Sequence, residues 1–252
     1  MTEGVLLIHA FPLDARMWEE QVEAFAPETP VVAPHLPGFG GTAATGRVMS
    51  MGAAADRCLQ AADAAGIDRM VVCGLSMGGY VAFELWRMAR GRIAGLVLAN
   101  TRAEHDTPEA AEGRRALADR LDLEGSGFLV ASPPPLLGDE ASDDLRSAVQ
   151  DLIADQPAAA IAAAARGMAE RKDSGPDLGA IDVPTLVITS DGDTLIQAEV
   201  TAPMAERIPG ADLVTLRGVG HLSNLEAPGA FDGALRDFLP RCGVTVRPSD
   251  RP

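Results

Sequence analysis

Met70-Val71-Val72-Cys73-Gly74-Leu75-Ser76-Met77-Gly78-Gly79-Tyr80-Val81-Ala82-Phe83-Glu84-Leu85-Trp86 is the stretch that decides how this chain reads. The apolar run at 70–73 predicts a short buried strand. The run at 80–86 predicts a packed helix. Ser76 stands on the turn between them. A strand that passes into a helix through a single serine strains that residue's backbone and lifts its hydroxyl clear of the sheet, as a catalytic nucleophile requires. Strand and helix converge there, so the positions two before and two after the serine tolerate no bulky side chain. Gly74 and Gly78 meet that demand, and Gly79 relaxes the packing further.

A serine nucleophile needs a base, and the base needs an acid to orient it. On such an elbow the chain order is serine, acid, histidine. Of the four histidines, only His105 and His221 lie beyond Ser76. His221 ends Gly218-Val219-Gly220-His221, just after the apolar run 213–216. It precedes a helix expected from Pro228, with Phe231, Leu235, Phe238 and Leu239 on one face. His105 falls in a polar stretch with no strand end before it, and is the weaker candidate base. The strand expected at 185–189 runs into Ser190-Asp191-Gly192-Asp193. Either aspartate could face the imidazole. The tight turn at Gly192 favours Asp193, leaving Asp191 suited to an Asx-turn.

Strands expected at 5–8, 31–33, 70–73 and 93–99 alternate with helices near 16–25, 53–65 and 80–86. That alternation implies a parallel sheet covered by helices on both faces. The pattern breaks at Asn100. Beyond it the chain is polar and helical, with a helix start at Thr107-Pro108-Glu109, a rigid Pro133-Pro134-Pro135 break and further helices at 143–154 and 157–170. The sheet pattern resumes after Pro184. The expected division is a core of residues 1–100 and 175–240, a helical insert at 101–174 and a frayed tail at 241–252.

The 252 residues suffice for one large core, and the formal charge of −15 disfavours nucleic acid and anionic membranes as partners. No apolar run is long enough to span a bilayer, and the amino terminus lacks the basic stretch of a signal peptide. Cys58, Cys73 and Cys242 form no C-x-x-C pair and read as inert buried thiols. The expected location is the cytoplasm. With no metal-ligand spacing, P-loop or dinucleotide fingerprint, neither a metal nor a cofactor is expected. The expected partner is a small molecule, and the expected assembly a monomer or homodimer.

In this order the motifs resemble the α/β-hydrolase superfamily, near its 3-oxoadipate enol-lactonase and bacterial serine esterase branch. His9-Ala10-Phe11-Pro12-Leu13 matches the family's H-G-F-P-L, and Pro37-Gly38-Phe39-Gly40 and Leu96-Val97-Leu98-Ala99-Asn100-Thr101 are similar to its loop and strand patterns. The family's G-x-x-D falls on residues 190–193, and its G-H-x4-E-x-P on Gly220, His221, Glu226 and Pro228. The likeness covers about residues 5–239. It departs in four places: no first hairpin, Ala10 and Ser190 in place of glycines, and His35 where an aspartate is frequent. His35 reads as structural, with a second polar group near the pocket as the alternative.

The resemblance implies an α/β-hydrolase fold, a mostly parallel doubly wound sheet lacking its usual first hairpin, with residues 101–174 as a helical cap or lid. It implies cleavage of a small carboxylic ester or lactone. Ser76 would attack, His221 would move the proton and Asp193 would orient the imidazole. The backbone N–H groups of Met77 and Phe11 would meet the oxyanion. Phe11, Met77, Phe128 and Leu129 would make the pocket apolar, and Arg102 or His105 could meet a substrate carboxylate. Other readings use the same scaffold: a natural-product tailoring enzyme (C–C hydrolase, cyclase or lyase), a cofactor-free perhydrolase or haloperoxidase, or a ligand receptor without turnover.

Overall fold

A computed structural model describes residues 1–245. In chain order the main elements are β1 (Glu3–Ile8), α1 (Glu19–Phe25), β2 (Val31–Val32), α2 (Met51–Ala64), β3 (Arg69–Leu75), α3 (Met77–Met88) and β4 (Ile93–Ala99). Four helices follow: α4 (Pro108–Glu124), α5 (Gly127–Ala131), α6 (Asp143–Ala154) and α7 (Ala158–Ala169). The sheet then resumes with β5 (Thr185–Ser190), α8 (Ala198–Thr201), α9 (Pro203–Arg207), β6 (Asp212–Leu216), α10 (Ser223–Glu226) and α11 (Pro228–Phe238). Several helices start where the sequence supplies a capping oxygen. Ser50, Thr107 and Ser142 each accept from a backbone N–H of the first turn.

The six strands form one sheet in the order β2-β1-β3-β4-β5-β6, and every pairing is parallel. The described strands thus form a six-stranded parallel sheet of the α/β-hydrolase type that the resemblance implies. Leu6 to Ile8, Met70 to Cys73 and Leu96 to Ala99 are buried without interruption, as strands covered on both faces must be. Two helix pairs, α2 with α3 and α1 with α11, pack around the sheet.

Register then places the site. Ile8 lies beside Gly74, Leu75 beside Ala99, Ala99 beside Ile188 and Ser190 beside Leu216. The carboxyl ends of five strands therefore share one edge. Phe11, Ser76, Asn100, Asp193 and His221 all leave the sheet there. Strand order reverses between β1 and β3, and such a crevice at the carboxyl ends is where open α/β sheets bind ligands.

Residues 101–174 contain α4 to α7 and no strand. The alanine run of α7 is buried from Ala160 to Ala165, and its small side chains let the helix lie close against α4. The Met49 N–H donates to Ala163 O at 3.0 Å. The Gln156 side chain donates to Asp14 at 2.8 Å and accepts from the Gly40 N–H at 3.1 Å, tying the insert to the loops after β1 and β2.

The expected frayed tail differs at its start. Cys242 and Val244 are buried, because Cys242 packs over Gly95 of β4, where a β-carbon would meet its sulfur. Residues 246–252 lie outside the described residues. Cys58 and Cys73 are also buried, and burial pushes both thiols up, Cys58 to about 12. They are inert at neutral pH.

The elbow glycines are sterically required. A β-carbon on Gly78 would run into the carbonyl of Ile8, and one on Gly74 into the backbone of Gly78. Gly78→Ala should therefore cost about 1–3 kcal/mol, read as a fall of several degrees in Tm. Gly113, exposed in α4 with nothing within 4 Å of its would-be β-carbon, should instead tolerate or gain from alanine. Equal melting shifts for the two variants would refute the steric argument.

Candidate active site

Ser76 precedes α3 with φ 57° and ψ −115°, in the region that side-chain-bearing residues rarely adopt. Its backbone is held on both sides. Its N–H donates to Ala99 O at 2.9 Å, and its own carbonyl accepts from the Thr101 hydroxyl at 2.8 Å. The strained turn is thereby maintained by the end of β4, and the α3 N-terminus adds a partial positive charge beside the hydroxyl.

The structure brings Asp193, and not Asp191, to His221. The buried His221 Nδ1–H donates to Asp193 Oδ2 at 2.7 Å. A carboxylate can only accept, so Nδ1 carries the proton and Nε2 is left to accept one. Asp193 Oδ1 accepts from the N–H groups of Leu195 and Ile196, both at 2.9 Å, and Oδ2 also accepts from the Asn100 amide at 3.0 Å. Burial alone would push this carboxyl up. The His221 bond and charge, followed by the Ile196 N–H and Asn100, outweigh it and hold the group below its ordinary range.

Asp191 is exposed and accepts from the Gly218 N–H at 2.7 Å. It fastens the acid loop to the histidine loop rather than closing an Asx-turn on itself. Gly192 is needed for close approach and not for positive φ, since a β-carbon there would sit 2.8 Å from Val219 O.

Ser76 and His221 open onto one cavity of about 260 Å³ between the strand ends and the helical insert. Phe11, Tyr80, Leu117, Leu129, Leu136 and Met168 make most of its wall apolar, and Arg102 and Arg114 add charge. Among the described residues Arg102 has no ion-pair or hydrogen-bond partner. Arg114 donates to Asp106 at 2.6 Å, but Arg171 shares that same carboxylate at 2.8 Å. Burial pushes Asp106 up, yet the two guanidiniums hold it below its ordinary range. The cavity wall therefore keeps uncompensated positive charge in a strongly acidic protein.

Three side chains expected in the pocket stand elsewhere. Phe128 does not line the cavity, because its ring lies under the Arg120 guanidinium at 3.7 Å; its neighbour Leu129 takes the inward position. His105 is largely exposed and faces Asp173 at 3.4 Å, away from the cavity. The Met77 side chain is buried beneath the elbow and lines nothing. The Met77 and Phe11 backbone N–H groups, however, donate to no other group among the described residues.

The loop carrying Phe11 is fixed from below by His9. Burial drives the His9 imidazole down to about 4, so it is neutral at physiological pH. Its Nδ1–H donates to Ala10 O and its Nε2 accepts from the Leu36 N–H. His35 is not among the residues lining the cavity and accepts from the Ala15 N–H at 3.3 Å.

Sequence reasoning missed Arg114, and gave Asn100 and Glu226 no role beyond their places in the strand and G-H-x4-E-x-P patterns. Glu226 accepts from the Gly138 N–H at 2.9 Å, and Leu136 O accepts from the Leu222 N–H at 3.0 Å. A strap from the insert is thereby held along the histidine loop.

Comparison with known proteins agrees with this fold. Residues 5–234 match the Alpha/beta hydrolase family, and the chain belongs to that family. It is 39% identical to a thermophilic esterase from Thermogutta terrifontis solved with malate bound, with a TM-score of 0.91 over 96% of this chain and 90% of that one. The 3-oxoadipate enol-lactonase 1 of Acinetobacter baylyi is 28% identical across 94% of this chain and 88% of its own length. The enol-lactonase of Burkholderia xenovorans is 26% identical, with a TM-score of 0.84 over 94% of this chain and 92% of that one. Among the described residues no helix is long and apolar enough to cross a membrane.

Proposed function

We propose that this protein hydrolyses a small carboxylic ester or lactone through Ser76, His221 and Asp193. The observation that carries the reading is the buried His221–Asp193 pair, 2.7 Å apart, opening onto the same cavity as a serine at positive φ. His221 Nε2 takes the Ser76 proton as the hydroxyl attacks the carbonyl, then returns it to the leaving alkoxide. Water repeats the sequence on the acyl-enzyme. The free N–H groups of Phe11 and Met77 receive the oxyanion. The esterase and enol-lactonase relatives support the same reaction class. A receptor would have no use for an oriented acid–base pair. Perhydrolase and tailoring chemistries would use the same three side chains and are separated from hydrolysis by substrate.

The helices over residues 101–174 act in this reading as a lid that sets substrate choice and contributes no member of the triad. Arg102 gives that choice a sign, favouring an ester or lactone that carries a carboxylate. Arg102→Met should lower kcat/KM for a carboxylate-bearing lactone about ten- to a hundredfold, while a neutral ester is turned over as before. Equal losses on both substrates would make Arg102 structural, and no loss on either would remove it from the site.

The reading itself is tested with a panel of p-nitrophenyl esters, lactones and an enol-lactone. Wild type should turn over at least one class and Ser76→Ala none. Turnover that survives in Ser76→Ala would reject it.

A further inference from the structure

We propose that Asn100 is a positioning residue for Asp193, setting the carboxylate oxygen that His221 uses. The inference rests on the triad reading above and adds a fourth side chain to it. Three independent features single Asn100 out. Among the described residues, only Ser76 and Asn100 combine a side chain with positive φ, and Asn100 takes 44° at the end of β4. Its side chain is fully buried. Every polar atom of its amide is engaged within the carboxyl-end cluster.

The direction of the amide follows from its partners. Asp193 Oδ2 can only accept, so the NH2 group must face it, at 3.0 Å. On the other face of the amide so oriented, the Ser223 hydroxyl donates to Asn100 Oδ1 at 2.7 Å. The NH2 group also reaches Ser190 Oγ at 3.0 Å. The Ser190 hydroxyl widens the same network. The two Asp193 oxygens thus have separate supports. Backbone N–H groups grip Oδ1, whereas among the described residues Oδ2, the atom that meets His221, is fixed by Asn100 alone apart from the imidazole. The neighbours of Asn100, Ala99 and Thr101, hold the Ser76 backbone. One three-residue bracket therefore ties nucleophile and acid to the end of β4.

Asn100→Gly tests this, because glycine accepts the positive φ and removes only the amide. The expected result is a fall in kcat of about ten- to a hundredfold with KM within twofold. Labelling by a fluorophosphonate should slow by the same factor. In the 1H NMR spectrum, the far-downfield resonance of the proton between His221 and Asp193 should move. An unchanged kcat, a loss confined to KM, or a slower enzyme whose downfield resonance stays in place would each overturn the proposal. If Asn100→Gly does not fold, Asn100→Asp has the same size and equal tolerance of positive φ. It replaces the donor by an acceptor, so its kcat should fall at least as far, and wild-type kcat would overturn the proposal. Failure of the triad reading is distinguishable, since it would appear as full activity in Ser76→Ala.

Discussion

Ser76→Ala protein is expected to fold, to remain unlabelled by a fluorophosphonate probe and to lose turnover by roughly four to six orders of magnitude. The size of the loss follows from the arrangement. Ser76 is held at positive φ by Ala99 and Thr101, neither of which touches its hydroxyl. Alanine keeps those backbone bonds, so the fold and the cavity survive while the nucleophile is gone. The remaining rate would come from the Phe11 and Met77 N–H groups and from substrate binding alone. Mass spectrometry of the wild type should show one phosphonyl adduct, on Ser76. Equal labelling of both proteins would move the nucleophile elsewhere.

Much of this was legible in the sequence, for reasons particular to each residue. Gly74 and Gly78 are demanded by backbone contacts that any β-carbon would violate, so the elbow is written in residue type. His221 was legible because few histidines exist and one follows a strand end. Asp193 could be preferred to Asp191, but the decisive facts are tertiary: the Leu195 and Ile196 N–H groups capture one aspartate, and Gly218 captures the other. The pocket was far less legible. In the five-residue helix α5, periodicity is too short to choose between Phe128 and Leu129. Arg114 sits on a polar helix where its charge reads as a solvated face, and only the packing of α4 on α7 turns it toward the cavity. Asn100 looks like any polar residue that ends a strand, because its partners come from β5 and α10, some 90 and 123 positions onward.

Asp193→Asn should lower kcat by about four orders of magnitude, whereas Asp191→Asn should keep most activity. The substitution is nearly isosteric, and the loss comes from where the amide hydrogens must go. If the new NH2 group takes the Oδ2 position, it donates to His221 Nδ1 and forces the proton onto Nε2, where it can no longer accept from Ser76. It also faces the Asn100 NH2 group, donor against donor. If the amide turns over, its NH2 group meets the Leu195 and Ile196 N–H groups, again donor against donor. The second orientation keeps the proton on Nδ1, but only by setting the NH2 group against those two N–H donors and without the negative charge that stabilises the imidazolium. Both orientations leave buried hydrogens unpaired at a cost of about 1–3 kcal/mol each. Asp193→Asn should therefore also melt earlier than wild type. Asp191 is exposed, and an asparagine oxygen there can still accept from the Gly218 N–H. Steady-state kinetics and melting curves on the two variants decide the matter. Loss of turnover in Asp191→Asn with retention in Asp193→Asn would transfer the acid's role to Asp191, and would mean that the 2.7 Å bond to His221 serves structure alone.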